Sequence, residues 1–159
     1  MFIVHRTGAN LQHDEHDHAI EHGLGAPIQI VLAQTEEAVA VGVIPVLEKR
    51  DRIVATYREH GQAIARGVGM DRLMAEMLGK EEGCCRGRGG SMHMFSTEHK
   101  FYGGHGIVGA QVPLGAGLAF GHKYSEDGGL CMAYFGDGAA NQGQVYETMN
   151  MASLWSLPV

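Results

Sequence analysis

An apolar run over residues 130–135, a glycine-bracketed acid at Gly136-Asp137-Gly138 and a helical stretch over residues 144–155 follow one another without a break. That order is strand, loop, helix, and it constrains the fold more than any other part of the chain. A short apolar run bounded by turn residues reads as a buried strand. In open α/β sheets, ligands sit outside the carboxyl ends of the strands, which is where Asp137 falls. Hard cations want oxygen ligands, and glycines let backbone approach closely. The helix behind the loop offers unpaired N–H groups to an anion. A metal ion with a diphosphate is the simplest ligand that uses all three features. The tripeptide alone is also a common turn, so the surrounding sequence has to decide.

The chain has 159 residues, room for one ordinary domain, and its apolar content of 45% is enough for a core. Its 24 glycines are about twice the usual share. Most lie after residue 80 and are interrupted by apolar residues, which points to close backbone contacts or ligand loops. The net charge of −6, with no long basic block, argues against nucleic acid as a partner. No apolar run reaches the length of a membrane span, and the N-terminus lacks an export signal pattern. Cys84, Cys85 and Cys131 cannot build a disulfide framework. Reduced thiols and a cytoplasmic setting are therefore expected.

Residues 1–30 stand apart as a divergent, histidine-rich segment with His5, His13, His16, His18 and His22. Residues 31–159 form the second unit. Thr35 is placed to cap a helix that Glu36 and Glu37 favour and that continues to Pro45. Residues 53–57 read as a strand and 62–66 as a short helix stopped near Gly67. Residues 71–78 read as a helix with Leu73, Met74, Met77 and Leu78 on one face and Gly79 as its stop. A glycine- and arginine-rich loop spans 83–91. Residues 112–124 form a helix, opened by Pro113 and lined with Gly115, Ala116, Gly117, Ala119 and Gly121, that can pack closely on a sheet. Asn141 and Gln144 have the spacing of a capping box. Leu157-Pro158-Val159 reads as the opening of another buried strand, so a chain truncated at its C-terminus is expected.

Four motifs occur in order: Tyr57-Arg58-Glu59-His60-Gly61, the stretch from Gly87-Arg88-Gly89-Gly90 to Ser91-Met92-His93, the glycine-rich 101–115 stretch containing Gly103-Gly104-His105-Gly106-Ile107-Val108-Gly109, and Gly136-Asp137-Gly138-Ala139-Ala140-Asn141-Gln142-Gly143. Together, from about Glu37 to Val159, they resemble the alpha subunit of the first, decarboxylating component of 2-oxo acid dehydrogenase complexes, of the pyruvate and acetoin dehydrogenase type. The resemblance implies an α/β fold, part of a thiamine-diphosphate-binding domain with a mostly parallel sheet flanked by helices. It implies thiamine diphosphate and Mg2+ as cofactors. Tyr57 and Arg58 resemble the pair that holds the diphosphate, for which a guanidinium fork and a phenol are suited. Gly106 and Val108 resemble the backbone positions facing the aminopyrimidine. Asp137 resembles the magnesium ligand, and Gly138 and Ala139 the backbone under the diphosphate. No catalytic residue is assigned; the resemblance puts His93 and His105 near the substrate channel, without a catalytic role.

The implied activity is oxidative decarboxylation of a 2-oxo acid, pyruvate first among them, with acyl transfer to a lipoyl disulfide. The implied partners are a beta subunit, in a heterotetramer, and a lipoyl-bearing acyltransferase. The implied location is the cytoplasm, or the mitochondrial matrix in a eukaryote. In the family a second metal-binding asparagine follows the aspartate by about thirty residues, which falls beyond Val159. The glutamate that activates the pyrimidine comes from the beta subunit. This chain alone is therefore expected to be inactive. The alternative reading is a non-catalytic fragment or interaction piece that binds no cofactor.

Two other patterns compete. Gly104-His105-Gly106-Ile107-Val108-Gly109 has the glycine spacing of a dinucleotide fingerprint, but no preceding strand is evident in the sequence. His18-Ala19-Ile20-Glu21-His22 matches a zinc-peptidase pattern inside a tract where chance matches are expected.

Overall fold

The structure, a computed structural model, describes residues 3–5 and 34–159. Its elements, in chain order, are β1 (Ile3–His5), α1 (Gln34–Val43) with a 3-10 turn at Ile44–Val46, β2 (Arg52–Thr56), α2 (His60–Arg66), α3 (Met70–Met77), β3 (Phe101–His105), α4 (Gln111–Ser125), β4 (Cys131–Gly136) and α5 (Gly143–Leu154). The strands form one sheet in the order β1-β4-β2-β3, and every pairing is parallel. This is the α/β fold with a parallel sheet flanked by helices that the resemblance implies.

Parallel sheets are covered on both faces, so their strands read as continuous apolar runs. β2 and β4 follow that rule, with Ile53, Val54 and Ala55 buried in one and Cys131 to Phe135 buried in the other. Side chains alternate between faces along a strand. Ile53, Ala55, Met132 and Tyr134 point to one side, into a cluster with Ala40, Ile44, Ala63 and Leu73 of α1, the 3-10 turn, α2 and α3. Val54, Cys131 and Ala133 point to the other side, against Ala119 of α4. Val112, Phe135, Ala139 and Val145 form a third cluster that joins α4, β4 and α5.

The small residues of α4 do what their size suggests. A Cβ added at Gly115 would lie 2.9 Å from Ala133 Cβ and 3.3 Å from Val54 Cγ2. Gly115, Ala116 and Ala119 are buried, whereas Gly117 faces open space. The helix sits on the sheet at a distance only a bare backbone allows.

Four local expectations are corrected. A strand does precede the Gly104–Gly109 stretch: β3 pairs with β2, with Ala55 opposite Gly104 and Thr56 opposite His105. The buried face of α3 is Leu73 and Glu76, with Met77 partly buried, while Met74 and Leu78 are exposed. The capping box does not form. The residue before α5 is Gln142 without a side-chain cap, Asn141 Oδ1 accepts a bond from the Tyr146 hydroxyl, and the Gln144 amide turns elsewhere. Residues 157–159 are not a strand, although Pro158 O accepts the Cys131 N–H at 2.8 Å and Leu157 and Val159 pack on the Val54 cluster. α1 begins at Gln34, so Thr35 lies within that helix and is not the residue before it. The His18–His22 pattern lies outside the described residues.

Candidate functional site

Because β3, β2 and β4 are adjacent and parallel, their carboxyl ends share one edge of the sheet. Tyr57 and Arg58 follow β2, Gly106 and Val108 follow β3, and Asp137, Gly138 and Ala139 follow β4. All seven residues singled out from the sequence therefore emerge on the same side.

The loops after β3 and β4 touch. Gln144 Nε2 donates to Val108 O at 3.2 Å and to Gln142 Oε1 at 2.6 Å. Asp137 is exposed, and its Oδ1 accepts the Gly138 N–H at 2.9 Å. A Cβ at Gly136 or Gly138 would meet nothing within 4 Å, and neither residue needs a positive φ. Nothing in the chain itself demands glycine there, so the open space lies above the backbone. Ala139, by contrast, is buried in the core beneath the loop.

The β2 end is held differently. Arg58 sits at φ 65°, a left-handed conformation uncommon for a residue with a side chain. Its N–H donates to Met92 O at 3.1 Å, and its guanidinium carbon lies 5.7 Å from the Tyr57 ring centroid, a cation–π arrangement. His60 Nε2 donates to Ser91 O at 2.7 Å. Burial, with Arg58's charge adding to it, holds His60 below the ordinary histidine range.

Glu59 is the functional-edge residue that the sequence reading missed. It is 1% exposed. Its Oε1 accepts N–H bonds from Met94 and, at 3.0 Å, from Gly104, which ties the end of β2 to β3 and to the preceding loop. Its Oε2 is buried with no hydrogen-bond partner among the described residues. Burial pushes its carboxyl up from 4.5 to about 7, and the two backbone donors counter only part of that. The available signal was position: a charged residue between a strand end and a short helix, in a run too compact to be solvated throughout.

The glycines of β3 are required by these neighbours. Gly103 has φ +78°, and a Cβ there would lie 2.6 Å from the Phe95 ring. One at Gly104 would overlap the Glu59 carboxylate. His93 donates from Nδ1 to Gly104 O at 2.9 Å, and its Cε1 lies 3.2 Å from where a Gly106 Cβ would be. His105 donates from Nε2 to Tyr102 O at 3.0 Å and meets Phe95 edge-on at 5.6 Å. Burial first, and then His93, keeps His105 below the ordinary range. Both amide atoms of Gln111, at the start of α4, are buried without a partner among the described residues.

An exposed carboxylate over open glycines, a guanidinium beside a phenol and a bare loop backbone form a donor set suited to a magnesium ion and a diphosphate. The fold and this edge define a parallel α/β sheet built to bind a ligand at its carboxyl ends.

The dehydrogenase E1 component family matches residues 26–159, and the chain belongs to that family. It is 64% identical over 125 residues to the pyruvate dehydrogenase E1 component subunit alpha of Zymomonas mobilis, covering 78% of this chain and 35% of that protein. It is 56% identical over 124 residues to the subunit of the same name from Rhizobium meliloti, covering 78% and 36%. It is 55% identical over 124 residues to the mitochondrial subunit of Dictyostelium discoideum, covering 78% and 32%. The chain thus spans about a third of the length of the curated relatives it matches. No helix among the described residues is long and apolar enough to cross a membrane.

Proposed function

We propose that this chain contributes the diphosphate-binding part of a thiamine-diphosphate-dependent 2-oxo acid dehydrogenase alpha subunit. Pyruvate is the first candidate substrate, and a lipoyl group on an acyltransferase receives the acyl product. The reading rests on one observation: Tyr57-Arg58, Gly106–Val108 and Asp137–Ala139 converge on one edge of a parallel sheet in a member of the E1 family. The names of the curated relatives support pyruvate and the alpha-subunit role.

When bound, thiamine diphosphate supplies an electron sink for loss of carbon dioxide. The chain's own residues bind and orient. Asp137 holds Mg2+ by a carboxylate oxygen. Arg58 and Tyr57 donate to diphosphate oxygens, and the cation–π contact keeps the guanidinium from wandering. Gly138 leaves the backbone bare beneath the anion. Gly106 and Val108 present backbone groups to the aminopyrimidine. Glu59 and His93 fix the Gly104–Gly106 segment from behind. The acid that activates the pyrimidine comes from a beta subunit, so the working site lies between two chains. The complex would work in the cytoplasm, or in the mitochondrial matrix of a eukaryote.

The test is calorimetric titration of thiamine diphosphate into this chain with a beta subunit, with and without magnesium. Asp137→Ala should abolish the magnesium-dependent part of binding; unchanged affinity refutes its metal role. Arg58→Ala should weaken binding by roughly tenfold to a hundredfold, the loss of one charge-assisted contact. A second reading, an interaction piece without cofactor, draws on the exposed aromatic face of Phe120, Tyr124 and Trp155. Absence of any cofactor binding by the unmodified chain with its beta partner favours that second reading.

A further inference from the structure

The loop that leads into the site carries chemistry that the proposed function does not use. Cys84 and Cys85 are both free thiols, with Sγ atoms 3.9 Å apart. Both are half-buried, and both line a hollow of about 420 Å³ together with Arg88, His93, Phe95 and Thr97. Cys85 is fixed at two points: its N–H donates to Glu76 Oε2 at 2.7 Å, and its Sγ accepts the Phe95 N–H at 3.0 Å.

Glu76 brings a carboxylate oxygen within 4.8 Å of both sulfurs, which has the outline of a three-ligand metal site. The carboxylate is already engaged, however. Oε2 takes N–H groups from Cys85 and Gly87, and Oε1 takes them from Gly89 and Gly90. Those four bonds fill its acceptor directions. A divalent cation would find two sulfurs, no free carboxylate and the Arg88 guanidinium on the same hollow. It would also have to expel two protons that burial holds in place. Burial raises both thiols above their ordinary range, Cys85 to about 12.

A neutral trivalent centre meets none of these objections. It needs only two protein ligands, it carries no charge for Arg88 to repel, and it removes the thiol protons as water. We propose that Cys84 and Cys85 form a bidentate dithiol site for trivalent organoarsenicals of the type R–As=O. The arsenic–oxygen double bond breaks and two arsenic–sulfur bonds form. Both thiol protons leave with the oxygen as one water molecule. Arsenic and sulfur keep their oxidation states, so no oxidant or reductant takes part. The third valence carries the organic group into the hollow, where the Phe95 ring offers an apolar wall. This site stands independently of the cofactor reading.

Phenylarsine oxide is the probe, titrated into the 159-residue chain. Intact mass should show one phenylarsenic group, and the thiol count should fall by two, leaving the buried Cys131. The adduct should survive excess monothiol and be released by a small dithiol. C84S or C85S should each lower retention by roughly a hundredfold, the usual gain from a second linked contact. Equal retention in wild type and C85S, or a thiol count that falls by one or three, overturns the proposal. The same titration in guanidinium separates a preorganised pair from mere adjacency in sequence. Weaker retention in the unfolded chain is expected, and equal retention refutes the structural argument.

Discussion

Replacing Glu59 by glutamine tests how the edge of the sheet is assembled. The carboxyl is displaced from 4.5 to about 7, chiefly by burial. The folded chain therefore binds that proton more tightly than the unfolded chain by about 3 kcal/mol. The sign follows from linkage. The stabilising contribution is fully present below the unfolded value of 4.5 and is lost as pH rises through about 7. Above that, the ionised carboxylate sits in the core with Oε2 unpartnered. Glutamine keeps an acceptor for Met94 and Gly104 but does not titrate, and its buried amide costs about 1–3 kcal/mol at every pH. Relative to wild type, E59Q should therefore gain about 3 kcal/mol between pH 4.5 and pH 8. Urea unfolding followed by circular dichroism on both proteins at each pH measures that difference. A gap between the two proteins that stays constant to within about 0.5 kcal/mol across the range refutes the reasoning.

Two glycines two residues apart on one helix should respond with opposite sign. Gly117→Ala, facing open space, should raise stability by up to about 1 kcal/mol, whereas Gly115→Ala, driven onto Ala133 and Val54, should lower it by about 1–3 kcal/mol; equal urea midpoints for the two would show that α4 does not sit where described. Glu76→Gln turns an amide N–H2 toward backbone donors that now meet an oxygen, and a loss of about 3 kcal/mol or more in the same assay is expected.

The central strands were legible because β2 and β4 are unbroken apolar runs, the pattern that burial on two faces imposes. Helix ends were legible where glycine takes a left-handed conformation, as at Gly67 with φ +102°. β3 was not legible as a strand. Phe101-Tyr102-Gly103-Gly104-His105 has two glycines where strand formers are expected. Those glycines exist because Phe95 and the Glu59 carboxyl occupy the space of their side chains, and that crowding involves residues the local sequence does not contain. The buried face of α3 was misread for a related reason. Glu76 falls three residues after Leu73, on the same face, but a charge at that position looks like solvent exposure until its four backbone partners are known. The capping box failed because the Gln144 amide reaches the Val108 carbonyl, a partner 36 residues away. That Tyr57-Arg58 and Asp137–Ala139 follow strands could be read from order alone; that Gly106 and Val108 also follow one, and that the three strands are neighbours, could not.

The grip of Glu76 on Cys85, Gly87, Gly89 and Gly90 has a dynamic consequence. Four amide protons scattered along an irregular segment share one acceptor group, and that group belongs to the last turns of a helix. They should exchange with solvent as a set, at the rate at which α3 frays, and not one by one as loop amides do. A stretch that has the composition of a flexible tether is thereby made as rigid as the helix that anchors it.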